Sequence, residues 1–206
     1  MENNIIITIG RQFGTGSLTI AKRIAEELKI KFYDTELLKI AAKESGLSED
    51  CFTKIDEKKE LNLIESLFLK FSINVNDLNN DSVLNNDKLF TIKSEIIKKI
   101  ASEKSCVFVG RCADYILRDY KNKISFFLTS ELKDRIKTVS KQQNISEKEA
   151  ATLIEKSDKK RASYYNYYTN KQWGHANSYD FCLNTSLLGI DKTTDIILNI
   201  INSAFH

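Results

Sequence analysis

The sequence predicts an α/β protein built on a parallel five-stranded sheet, and three observations predict it. Short apolar runs begin near residues 5, 31, 106, 124 and 180. Segments with apolar residues at helical spacing separate them. Two of the runs, Cys106-Val107-Phe108-Val109 and Ile124 to Leu128, are almost wholly apolar. Strands buried on both faces read as continuous apolar runs, and their alternation with helices implies crossover connections and a sheet covered on both sides. Ligands of such sheets bind beyond the carboxyl ends of the strands, so the residues that follow each strand are the ones to read for chemistry.

The first run, Ile5 to Ile9, opens directly into Gly10-Arg11-Gln12-Phe13-Gly14-Thr15-Gly16-Ser17-Leu18-Thr19. From there Leu18, Ile20, Ala21, Ile24, Ala25 and Leu28 recur at helical spacing, so a glycine-rich turn feeds an amphipathic helix. A strand, a glycine turn and a helix N-terminus aim unpaired N–H groups and the positive end of a helix dipole at one point, which suits polyphosphate. An ordinary strand-to-helix turn could carry the same glycines. The consensus for such a loop is Gly, four residues, then Gly-Lys-Ser/Thr. With Gly16 as the last glycine, the first falls on Arg11, the lysine on Ser17 and the hydroxyl on Leu18, so the frame is kept and the cation is not.

The later elements follow in order. Lys31-Phe32-Tyr33 forms a short second strand, and Asp34-Thr35 can cap a helix running to Ser45, stopped by Gly46. Ser48, Cys51 and Phe52 begin another helical piece, and Leu61 to Phe71 is apolar and amphipathic. Asn74 to Lys88 is rich in Asn and Asp and poor in large apolar groups, which predicts a mobile loop. Leu89 to Ile100 restores helical spacing before the third strand, Cys106 to Val109, which ends at Gly110. After the fourth, Ile124 to Leu128, Ser130 is expected to cap a helix to about Gln142. Ser146 with Glu149 forms a capping box for a long helix, Glu147 to Tyr168. Tyr179 to Asn184 makes the last strand and Asp191 to Asn202 the closing helix.

At 206 residues with 42% hydrophobic content the chain can bury one substantial core, so a single domain over residues 1–206 is expected. A net charge of +3, from 31 basic and 28 acidic side chains, gives no bulk drive toward nucleic acid or a membrane surface. Cys51, Cys106, Cys112 and Cys182 lie far apart with no C-x-x-C spacing, and only His175 and His206 accompany them. Reduced, mostly buried thiols are expected, with no zinc site. The N-terminal apolar run is too short for a leader or a span, and a cytoplasmic location is expected.

Arg111 follows a strand and a glycine. Its guanidinium suits a bidentate phosphate contact in the cleft, or alternatively a salt bridge at the rim. Asp158 and Arg161 lie three apart on the long helix and share one face, where a surface ion pair is the plain alternative. Asp34 could serve a substrate or only cap a helix. The cluster Tyr164-Tyr165-Asn166-Tyr167-Tyr168 with Trp173 suggests packing or a subunit contact, and His175 reads as a surface residue.

In order and spacing, four segments together resemble the cytidylate kinase-like family of P-loop nucleoside monophosphate kinases: Ile9 to Gly16, Phe32-Tyr33-Asp34, Val109 to Leu117, and Tyr179 to Ser186 with Leu188-Gly189-Ile190-Asp191. The resemblance implies a three-layer P-loop fold, with an acceptor-binding insertion at about 35–100 and a lid at about 146–175. It implies transfer of the ATP γ-phosphoryl, with Mg²⁺, to a nucleoside monophosphate of the CMP or dCMP type. Gly10, Gly14, Thr15, Gly16, Ser17, Leu18 and Thr19 would then form the cofactor site, with Ser17 or Thr19 near the metal. Arg11, Arg111, Asp158 and Arg161 would act in catalysis, and Asp34, Arg111 and Asp158 on the acceptor. No nucleic-acid or membrane partner is implied, and a homo-oligomer is open. The chain departs from the family's Gly-Arg-Asp motif at Cys112, from its loop lysine at Ser17, and from a further lid arginine at Ile154. Those departures leave open a catalytically silent nucleotide-binding protein, or a kinase of another small metabolite.

Overall fold

A computed structural model describes residues 4–34 and 80–205. The chain divides into two compact units, residues 1–33 with 100–206, and residues 34–99. In the first, the apolar runs become β1 (Ile6–Arg11), β2 (Lys31–Tyr33), β3 (Cys106–Val109), β4 (Lys123–Thr129) and β5 (Phe181–Asn184). They form one sheet in the order β2-β3-β1-β4-β5, every neighbouring pair parallel. The helices are α1 (Ser17–Glu27), α2 (Asn80–Glu103), α3 (Ala113–Ile116), α4 (Leu132–Gln143), α5 (Glu147–Thr169) and α6 (Thr185–Phe205). Of residues 34–99 the described part is Asp34 and α2 up to Lys99.

Both sheet faces are covered, as the continuous apolar strands require. On one, Ile7, Ile9, Val107, Val109, Phe126 and Leu128 form a single cluster with Ile20, Ala21 and Ile24 of α1 and Ile197 and Ile201 of α6. Each fully buried Ile, Val, Leu or Phe among them contributes about 1.5–3 kcal/mol. On the other, Phe108 and Phe127 are buried; Tyr33 stacks on Phe108 at 5.5 Å, and Phe127 meets Tyr179 at 4.8 Å and, at right angles, Trp173 at 5.2 Å. A second small core of Val139, Ala150 and Ile154, with Phe13 against it, joins α4 to α5. The capping box forms: Glu149 N–H donates to Ser146 Oγ at 3.3 Å, and Ser146 N–H to Glu149 Oε2 at 2.9 Å.

Several expectations are corrected. Residues 80–88, read as part of a mobile loop, lie in α2. Composition misled there: Val83 and Leu84, spaced ahead of Leu89 and Phe90, extend the helical pattern. Ser130 does not cap α4; Glu131 holds that position without a side-chain bond, and Ser130 Oγ lies 2.7 Å from Ser186 Oγ. The closing helix starts at Thr185 and is interrupted at Gly189, whose φ of 74° is left-handed. Strand β5 is an exposed edge, so Cys182 is exposed while Cys106 and Cys112 are buried. The pieces expected at 35–45, 48–52 and 61–71, and Cys51, lie outside the described residues. Among those residues no helix is long and apolar enough to cross a membrane.

Candidate functional site

The site begins where β1 stops. Gln12 N–H still donates to Leu128 O at 3.0 Å, and then Gly14 and Gly16 turn the chain with φ of 84° and 75°, conformations open to glycine at no steric cost. The first amide of α1 bonded within the protein is that of Ile20, which donates to Gly16 O at 3.2 Å. The N–H groups of Gly14, Thr15, Gly16, Ser17, Leu18 and Thr19 meet no acceptor among the described residues. Six consecutive unsatisfied donors at a glycine turn are what a polyphosphate requires. Ser17 is buried in the first turn, whereas Leu18 and Thr19 are exposed.

Two helices brace this loop from outside. Asp158 of α5 accepts from Phe13 N–H at 2.8 Å and pairs with Arg135 Nη1 of α4 at 2.6 Å. Arg161, one turn further along α5, donates to Arg11 O at 3.2 Å and lies over the Phe13 ring at 5.2 Å. The shared face of Asp158 and Arg161 is therefore turned on the loop, and both carboxylate oxygens of Asp158 are engaged. Arg135 was not legible as a site residue. The available signal was an arginine four residues before Val139, on a face otherwise apolar.

Beside the loop, β3 ends in a second turn. Gly110, Arg111 and Cys112 are all left-handed, with φ of 71°, 63° and 57°. Two consecutive non-glycine residues there store strain of about 1–3 kcal/mol each, a state that persists where the surroundings over-determine it. The Arg11 guanidinium lies directly over Gly110, so a side chain at 110 would collide with it. Ile9 pairs with Val109 in the sheet, which sets Arg11 next to the turn that carries Arg111. Partly buried Tyr164 faces the same turn. Loss of water raises its hydroxyl above the ordinary range, Cys112 adds to this, and the Arg111 charge opposes it.

Behind the turn, Tyr165 OH donates to Asp114 Oδ2 at 2.6 Å in a buried pair. Burial holds the Asp114 carboxyl above its usual range, with the Tyr165 bond pulling the other way, and burial likewise raises Tyr165 and Tyr179. Much of the tyrosine cluster thus packs, although Tyr167 remains exposed. Gly10 leaves room for this packing: a Cβ there would lie 2.8 Å from Phe127 and 2.9 Å from Tyr179. His175 is exposed and caps a short turn, accepting from Asn177 N–H at 3.4 Å. Asp34 directly follows β2.

Comparison with known proteins bears on the family and the fold. The profile of the cytidylate kinase-like family matches residues 6–187. A cytidylate kinase of Saccharolobus islandicus is 24% identical over 199 residues, covering 97% of this chain and 92% of its own. An uncharacterized protein from Eubacterium ventriosum superposes with a TM-score of 0.72 at 33% identity, covering 97% of this chain and 99% of its own. Shikimate kinase from Bacteroides thetaiotaomicron gives 0.54 at 14% identity over 96% and 98%, a likeness of fold.

Proposed function

The chain belongs to the cytidylate kinase-like family, and from that premise we propose that it transfers the γ-phosphoryl of ATP to a nucleoside monophosphate, CMP or dCMP. The observation that carries this reading is the glycine turn with its six unsatisfied N–H groups, set beside the arginine-bearing end of the neighbouring strand.

In this reading the amides of Gly14 to Thr19 hold the donor phosphates, and Gly10 allows the close packing beneath them. Arg111 grips the acceptor phosphate as a planar, two-pronged donor. Phosphoryl transfer asks the protein mainly for positioning and for neutralising charge on the transferring group. With Ser17 where a lysine is usual, that neutralisation falls to Arg11 beside Gly110 and to Arg161 on the lid, about residues 146–175. Asp158 serves by fixing the loop, and Asp34 and the insertion at 35–100 serve the acceptor. Mg²⁺, when bound, would add neutralising charge to the donor phosphates. No group of three His, Cys, Asp or Glu side chains gathers among the described residues, so the phosphates themselves and the hydroxyl of Ser17 or Thr19 would hold it.

The test follows nucleoside diphosphate formed from ATP and Mg²⁺ with CMP, dCMP, UMP, AMP and GMP. Product with CMP or dCMP, lost in Arg111→Ala, is the expected result. One alternative, a catalytically silent nucleotide-binding protein, is favoured by Ser17 and Leu18 at the lysine and hydroxyl positions. Saturable ATP binding with no product from any acceptor would select it, or a kinase of a different small metabolite.

A further inference from the structure

Residue 13 is gripped through its own backbone. Its N–H donates to Asp158 Oδ1 at 2.8 Å and its C=O accepts from Arg135 Nη1 at 3.4 Å, while that same Nη1 donates to Asp158 Oδ2 at 2.6 Å. The three bonds close a ring around Phe13. Arg135 is 7% exposed, so this cation is spent inside the protein on one carboxylate and one carbonyl. Its helix is also in close contact with the loop: a Cβ on Gly14 would stand 3.1 Å from the Arg135 carbonyl oxygen and 2.9 Å from Val139 Cγ2.

The Phe13 carbonyl and the Gly14 amide belong to one planar trans peptide, so they point in opposite directions. Turning the carbonyl toward Arg135 turns the Gly14 N–H away from it. Gly14, with no Cβ and a φ of 84°, adopts left- and right-handed backbone with similar ease, so its own conformation does not fix which way this peptide faces. A reversed peptide would present a carbonyl oxygen to an anion in place of a donor. Something outside the loop has to decide the orientation, and Arg135 is the cation bonded to that carbonyl.

From this we infer that Arg135 is a positioning residue for the donor phosphates. Paired with Asp158, it locks the Phe13–Gly14 peptide so that the Gly14 N–H faces the anion. The inference rests on the phosphate-binding reading of the loop proposed above.

Dissociation constants for ATP with Mg²⁺ and for inorganic tripolyphosphate test it, measured on the wild type, Arg135→Met, Arg135→Lys and Asp158→Asn well below their melting temperatures. Arg135→Met is expected to weaken both ligands alike by about tenfold, the size of one charge-assisted hydrogen bond. Lysine should recover part of that loss, and the double variant with Asp158→Asn should lose no more than the worse single one. Ile154→Ala, which weakens the core between α4 and α5 without touching the ring, should lower the melting temperature and leave both affinities in place. Unchanged affinities in Arg135→Met would overturn the lock, as would an equal loss in Ile154→Ala. If Arg135→Met does not fold, Asp158→Asn is read against the same two criteria. A wild type that binds neither ATP nor tripolyphosphate would instead remove the phosphate site itself, and the lock with it.

Discussion

The glycine turn after β1 and the Gly110-Arg111-Cys112 turn after β3 leave adjacent strands at the same end of the sheet, yet they are built in opposite ways. The first uses left-handed backbone only at Gly14 and Gly16, where it costs nothing steric, and offers main-chain donors. The second forces the same backbone on an arginine and a buried cysteine and offers a side chain. The first is held from outside, by Arg135, Asp158 and Arg161. The second is held from behind, by the aromatic packing around Asp114. A backbone cradle demands freedom from Cβ atoms, whereas an aimed guanidinium demands a backbone that overrules local preference. In the proposed function these are the donor and acceptor sides, and each should fail in its own way.

The largest effect is expected from Gly14→Val. Its Cβ would meet the Arg135 carbonyl oxygen at 3.1 Å at a φ that β-branched residues avoid. ATP affinity measured by calorimetry should fall by about a hundredfold or more, with a stability loss of about 2–3 kcal/mol. Retention of binding within a few-fold would show that the turn is an ordinary connection.

Arg111→Ala should come next, raising the acceptor KM by about a hundredfold while ATP affinity stays within about twofold, the cost of a charge-assisted phosphate contact. Comparison with Arg111→Gly sharpens the point. Both lose the guanidinium, but glycine relieves the left-handed backbone, so denaturant titration should find it more stable than the alanine variant by about 1 kcal/mol. Equal stabilities would mean the turn stores no strain.

Asp114 gives a pH signature. Its folded carboxyl titrates above the unfolded value, so the folded state takes up the proton more readily, and stability falls as pH rises through the interval between the two. Asp114→Asn, whose amide oxygen can still accept from Tyr165, should be more stable than wild type at pH 7. The gap should close as pH falls through that interval, from the raised folded value down to the ordinary carboxylate value. A gap independent of pH would remove the buried-charge account.

The smallest functional effect is expected at Ser146→Ala. Removing the cap of α5 should cost about 1 kcal/mol in a melting experiment and leave ATP affinity unchanged.

How much of this the chain displays in one dimension depends on the range of each interaction. The β1–loop–α1 unit, the parallel sheet and the capping box at Ser146 were legible because periodicity, glycine placement and a three-residue spacing are local signals. Asp158 and Arg161 were legible as a pair sharing a face. What they face was not, since Phe13 lies 145 residues from Asp158 in the chain. Arg135 was hidden for the same reason. The left-handed run at Arg111 and Cys112 was hidden because no residue type announces it, glycine being present only at its first position. Residues 80–88 were misread because polar composition was weighed above a helical pattern that continued into them.

The pairing of Ile9 with Val109 has one more consequence. Hydrogen-bonded neighbours in a sheet stand about 4.8 Å apart, a spacing fixed by peptide geometry and indifferent to which side chains are present. The sheet therefore works as a gauge block: it sets the gap between the two turns once, for any pair of residues that follows. Changes at Ser17, Leu18 or Cys112 alter what fills that gap and leave its width where the backbone put it.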